Sequence, residues 1–143
     1  MKKVIQDYRS IYDVTSDVVT KDIVLQDISF LNGFGFAGPC EFLGQIIFSD
    51  CSFSMISSYV NFFKGEFILK NCEIKRDLVL HGQFMESVII EKCQVGGKLE
   101  IVDSVFQEEV RIVKSTFKGG TNLIGNEASF GSVEFKKGLT FFN

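Results

Sequence analysis

The chain has 143 residues, 45% hydrophobic and 23% charged, with a mean hydropathy of +0.19. That length and balance describe one folded domain with a real core, and they exclude disorder driven by charge. A formal net charge of −3 and a pI near 5.2 are too mild for a nucleic-acid footprint or a strongly acidic mimic, so no nucleic-acid partner is favoured.

In chain order, Met1-Lys2-Lys3 is followed by Gln6, Asp7, Arg9 and Asp13, where a secretory signal would need its apolar segment. No apolar run approaches the roughly 18–20 residues of a membrane span. With four cysteines expected to be free thiols, these features read as a cytoplasmic protein. Val4, Tyr8 and Ile11 or Tyr12 are spaced like one helical face, so residues 1–22 are expected to form a cap segment, with a short strand as the alternative.

From residue 23 to 143 the sequence repeats. Cys51-Ser52-Phe53, Cys72-Glu73-Ile74 and Cys93-Gln94-Val95 recur every 21 residues, and Ser115-Thr116-Phe117 follows after 22 more. Upstream of each lies a second apolar-outward-apolar triplet: Ile46-Ile47-Phe48, Phe67-Ile68-Leu69, Val88-Ile89-Ile90 and Val110-Arg111-Ile112. Ile23-Val24-Leu25 with Ile28-Ser29-Phe30 extends the pattern upstream, and Val133-Glu134-Phe135 extends it downstream. A third column reads Leu78-Val79-Leu80, Leu99-Glu100-Ile101 and Thr121-Asn122-Leu123, with Ser57-Ser58-Tyr59 as a weaker member, and Phe63, Phe84 and Val105 mark a fourth apolar position.

Short period-two triplets recurring every 21–23 residues, without a 3.6-residue period, predict an all-β fold: a single-stranded parallel β-helix, or β-solenoid, of five to six coils. Right-handed winding is the expectation for parallel crossovers. Gly96-Gly97 and Gly119-Gly120 fall between the second and third triplets, where positive φ is useful at a corner. Asp27, Asp50, Asn71, Lys92 and Lys114, each just before the second triplet, read as solvated corners. The chain stops at Phe141-Phe142-Asn143, midway through a coil, which leaves an apolar edge.

Few residues invite chemistry. The Cys51, Cys72, Cys93 ladder is read as core, because rungs about 4.8 Å apart hold Cβ atoms too far apart for a disulfide and collinear thiols cannot surround a tetrahedral metal. Gly33-Phe34-Gly35-Phe36-Ala37-Gly38 fits the GxGxxG spacing, but no helix follows to hold a pyrophosphate, so it reads as a turn between rungs. His81, the single histidine, has no nucleophile placed beside it, and neither Glu108-Glu109 nor Asp13 with Asp17 forms an opposed carboxylate pair. No catalytic residue, cofactor or metal is assigned.

The outward position of the first triplet is the informative column. It reads Val24, Ile47, Ile68, Ile89, Arg111, Glu134, whereas the second triplet's outward column reads Ser29, Ser52, Glu73, Gln94, Thr116. Four stacked aliphatic residues on the outside form an apolar stripe of the kind that marks an interface. Either residues 1–22 fold across it or a partner covers it.

The pieces Cys51-Ser52-Phe53, Asn71-Cys72-Glu73-Ile74 and Lys92-Cys93-Gln94-Val95 resemble the pentapeptide-repeat family of right-handed β-helices, over roughly residues 23–143. The coil is 21–23 residues rather than four fives, and the A-(D/N)-L-x-x signature is not maintained. Coil size and the apolar edge are also similar to bactofilin-like polymerising β-helices. The expected function is a non-enzymatic scaffold acting by self-association or protein binding through Val24, Ile47, Ile68 and Ile89, or through the Phe141-Phe142 edge. The alternatives implied by the resemblances are a carbohydrate-active β-helix enzyme and a DNA mimic.

Overall fold

In a computed structural model, which describes residues 2–124 and 133–143, the chain is a parallel β-solenoid of about six coils. Its strands are only two to four residues long, and they stack into four parallel sheets, three of six strands and one of five. Following the chain round one coil, the first sheet takes Phe67–Lys70, the second Glu73–Ile74, the third Leu78–Leu80 and the fourth Gly82–Phe84. The next coil repeats this order with Val88–Glu91, Gln94–Val95, Leu99–Val102 and Val105–Phe106. Because the sheets follow one another cyclically, the first faces the third across the core, and the second faces the fourth.

Stacking follows the sequence period. Phe67 pairs with Ile46 above and Val88 below, and Glu73 with Ser52 and Gln94, so each column of the repeat is one physical column. Alternation then sends both flanking residues of every triplet inward. The rings of Phe42, Phe63, Phe84, Phe106 and Phe135 stack along the fourth sheet with centroids 5.4, 4.8, 4.7 and 4.9 Å apart and planes within 20° of parallel. That spacing is the rung spacing, about 4.8 Å, so parallel pairing itself imposes the ring stack. Burying each ring contributes on the order of 1.5–3 kcal/mol.

Three register details differ from the sequence expectation. Phe106, not Val105, holds the inward position under Phe84; Val105 pairs with Gln83 and points out. In the third sheet the rung is Ile56–Ser58, not Ser57 to Tyr59, because Ile56 pairs with Leu78, and Tyr59 lies exposed at the corner. A one-residue slip exchanges the two faces: Phe106 takes the interior from the smaller Val105, and Ile56 with the small Ser58 takes it while the amphipathic Tyr59 ring stays outside. Val133-Glu134-Phe135 does not continue the first column: Glu134 and Phe135 pair with Val105 and Phe106 in the fourth sheet, and Leu139–Phe142 is the last rung of the first. The intervening chain is longer there than in other coils, which moves the column by six residues.

The corner residues divide by cause. Asp27, Asp50, Asn71, Lys92 and Lys114 all have φ between 49° and 55°, so the chain turns from the first to the second sheet on a single left-handed residue. Asp and Asn tolerate that region, whereas a lysine there costs about 1–2 kcal/mol. Among the expected corner glycines, only Gly120 has positive φ. Gly119 is required for a different reason: a Cβ would lie 2.8 Å from the Gly97 carbonyl carbon of the coil above.

The expected N-terminal helix is absent. Lys3–Ile5 is instead a rung on Ile28–Phe30, Tyr8–Ser10 is a single 3-10 turn, and Val18–Val19 begins the fourth sheet. Between these rungs Tyr12 is 4% exposed; its hydroxyl donates to the Gly35 carbonyl at 2.6 Å and accepts from the Ala37 N–H at 3.1 Å. The rings of Tyr8 and Tyr12 lie 5.3 and 6.1 Å from that of Phe34 and cover this end of the core.

Candidate interaction surface

The outer face of the first sheet is set by register. Val24 pairs with Ile47, Ile47 with Ile68, Ile68 with Ile89 and Ile89 with Arg111, so the four aliphatic side chains form one outward column. Its last member is Thr140, not Glu134. Exposure along the column is uneven: Val24 is 59% exposed, Ile47 and Ile89 are half-buried, and Ile68 is only 8% exposed. Side chains stacked one rung apart cover each other, so the middle of a column loses more water than its end. The described rungs of residues 2–22 lie on the second and fourth sheets rather than across this stripe.

Phe141 stacks over Ile112 and continues the inward column, yet is 54% exposed at the last described rung. Phe142 is also exposed, with the Arg111 guanidinium 5.1 Å from its ring centre. Arg111 also pairs with Glu109 at 3.6 Å, so it bridges the stripe's polar end to the Phe142 edge.

A second surface has no counterpart in the repeat pattern. On the fourth sheet a groove of about 710 Å³ runs along the outward column Val18, Glu41, Phe62, Gln83, Val105. Its wall is the corner from the third sheet, where Val60 is 42% exposed and the Tyr59 ring meets His81 edge-on at 5.2 Å. The signal available in the sequence was the large apolar pair Tyr59-Val60 at a corner where the next coils place His81 and Asp103-Ser104.

The candidate chemical groups are placed apart. Cys40, Cys51, Cys72 and Cys93 are buried free thiols, and Cys72 and Cys93 donate to the Phe48 and Leu69 carbonyls at 3.4 and 3.5 Å. A hydrogen bond with Cys72, together with burial, pushes the Cys51 thiol up, and burial does the same to Cys40; such thiols are poor nucleophiles. Phe34–Phe36 within the glycine-rich segment is itself a rung of the third sheet, not a turn, with both rings in the core. Asp13 accepts from Thr15 and Ser16, and Glu108 lies 3.9 Å from Lys137. Hydrogen bonds to Thr15 hold the Asp13 carboxyl below the usual range. Among the described residues, no three His, Cys, Asp or Glu side chains are grouped to hold a metal ion, and no helix is long and apolar enough to cross a membrane.

The geometry defines the class: a four-sided parallel β-solenoid repeat protein. No protein-family model, curated protein or solved structure matches the chain.

Proposed function

We propose that the protein is a non-enzymatic scaffold that works by association, either with itself or with a protein partner, through the outer face of the first sheet. Val24, Ile47, Ile68 and Ile89 are the contact stripe, and Phe141 and Phe142 extend it at the adjoining edge. One observation carries the reading: these four residues occupy a single outward column in register, while the equivalent column of the second sheet is polar from Ser29 to Thr116. A solvated face of a parallel sheet has no structural need for stacked isoleucine, whereas an interface does. We also read residues 1–22 as a cap segment on the solenoid of 23–143, a pentapeptide-repeat-like architecture as its likeness, and the buried thiols as suited to the cytoplasm.

The enzyme and DNA-mimic readings are less well supported. Among the described residues no outward column within the strands places two acids on neighbouring rungs, which either function would use; the acids Asp27 and Asp50 follow one another only at a corner. Light scattering coupled to size exclusion tests the proposal. Wild type is expected as a dimer or larger species, and Ile89→Lys and Phe142→Ser as smaller ones with unchanged far-UV circular dichroism. A wild type that stays monomeric at all concentrations, or variants that retain its mass, overturns it.

A further inference from the structure

The outer face of the first sheet carries three columns side by side, and each rung gives one residue to each. The aliphatic column, closed by Arg111, runs down the middle. Where the strands end, the outward residues are Gln26, Ser49, Lys70, Glu91 and Val113, paired in the same register. Where the strands begin, alternation places Asp22, Gln45, Glu66, Ser87 and Glu109. The backbone keeps the ladder there too, since the Gln45, Glu66, Ser87 and Glu109 carbonyls accept from Ile23, Ile46, Phe67 and Val88 N–H.

The rung of Ile68 is therefore ordered by charge. Outward along it stand Glu66, Ile68 and Lys70: an acid, an apolar residue and a base. Glu66 is half-buried and Lys70 is exposed, and among the described residues neither forms an ion pair within the chain.

Building on the stripe as a contact surface, we propose that its partner is the same face of a second copy, related by a two-fold axis parallel to the rod. Rotation about that axis keeps every rung level with its equivalent and exchanges the two sides of the face. Ile47, Ile68 and Ile89 then meet their own equivalents, and Glu66 of each copy stands opposite Lys70 of the other. Two ion pairs thus flank the central isoleucines. At the other levels no acid of an outer column faces another acid: Asp22 lies opposite Gln26, Gln45 opposite Ser49, Ser87 opposite Glu91 and Glu109 opposite Val113. Arg111 meets its equivalent at the polar end of the contact, where Glu109 of its own chain lies 3.6 Å from it.

A two-fold axis running across the rods is disfavoured by the same charges. Centred on Ile68, it would set Glu66 against Glu66, Lys70 against Lys70 and Asp22 against Glu109. Moved so that Ile47 faces Ile68, it sets Glu66 against Gln45 and Lys70 against Ser49, and no pair is gained. The parallel contact uses one surface on both copies, so it is isologous and closes at two. Rungs ~4.8 Å apart and outward positions ~6.8 Å apart give a face of roughly 20 by 14 Å from Val24 to Arg111, small beside a standard interface, so the dimer forms as concentration rises.

Sedimentation equilibrium over a range of concentrations tests the orientation. Glu66→Lys and Lys70→Glu, each of which turns both pairs into like charges, are each expected to raise the dimer dissociation constant about tenfold. The double variant Glu66→Lys/Lys70→Glu restores opposite charges and is expected to return to within about threefold of wild type, which also shows that the substituted face still folds. In a mixture of isotopically light and heavy wild type, carbodiimide is expected to join Glu66 of one chain to Lys70 of another. A wild type that associates and is dispersed by Ile89→Lys, but is not weakened by Glu66→Lys or gives no such cross-link, overturns the parallel pairing and leaves the stripe as an interface. A wild type that stays monomeric, or whose association Ile89→Lys does not touch, overturns both.

Discussion

Two corners of the solenoid make the same change of direction by different means. Between the first and second sheets every coil uses one residue, from Asp27 to Lys114, with φ within 49–55°. Between the third and fourth sheets the connection is Ala37-Gly38-Pro39 in one coil, Tyr59-Val60 in the next, then His81 alone, then Asp103-Ser104. The corner of constant length keeps successive coils superimposed and leaves a level, hydrated face on the second sheet. The corner of changing length projects by a different amount at each level, and that relief walls the groove on the fourth sheet. Regularity thus carries the fold, and departure from it shapes the surface.

The contrast is broken most severely at Gly38. A Cβ there would stand 1.5 Å from the Tyr59 carbonyl oxygen, so Gly38→Ala forces two unequal corners apart. It is expected to cost at least about 2 kcal/mol in urea unfolding, whereas Asp27→Ala at the constant corner costs about 1 kcal/mol or less. Ser104 fixes the irregular corner from inside, donating to the Leu80 and Val102 carbonyls and accepting from Gly82 N–H. Ser104→Ala leaves that N–H without its acceptor and is expected to lower stability by about 1–2 kcal/mol in the same measurement.

Tyr12 ties the first of these irregular connections through Ala37. Burial pushes its phenol up to about 12 from an ordinary 10.0. Its protonation therefore contributes fully below the unfolded value near pH 10, and that contribution is lost as pH rises through about 12. Stability measured across this window is expected to fall more steeply for wild type than for Tyr12→Phe; parallel curves would remove Tyr12 as the cause.

The smallest effects compare the corners directly. Val60 is β-branched at φ 51°, and Lys92 is unbranched at φ 52°. Val60→Gly is expected to stabilise by about 1 kcal/mol and Lys92→Gly by about 0.5 kcal/mol, after the added entropy of the unfolded chain is offset. Equal gains in melting experiments would mean that the two corners carry the same strain.

Much of this organisation is legible without coordinates. The 21-residue spacing of Cys51, Cys72 and Cys93 places three rungs of the second sheet, and the residue before each is the left-handed corner. The stripe's membership from Val24 to Ile89 is equally legible, since one repeat and one alternation locate it. Val105 was misplaced because it and Phe106 satisfy the alternation in either register and only side-chain volume in the core chooses between them; Tyr59 was misplaced because the rung begins at Ile56 and puts the small Ser58 inside, a choice set by pairing with Leu78 and Val79. Gly97 and Gly119 read as residues needing positive φ, yet what restricts them is the backbone of the neighbouring coil, which no local pattern contains.

The sequence by itself determined the winding repeat and, for the first two sheets from Val24 to Thr116, the inward columns and the chemical character of the outward ones, because these follow from a fixed spacing and an alternation of two. Only the tertiary structure decided how far each outward residue meets water, which sheet the Phe135 rung joins, and that Val18, Glu41, Phe62, Gln83 and Val105 share one groove. Those depend on distances between chain segments twenty or more residues apart, and such distances are set by packing around the whole coil rather than by any single stretch of it.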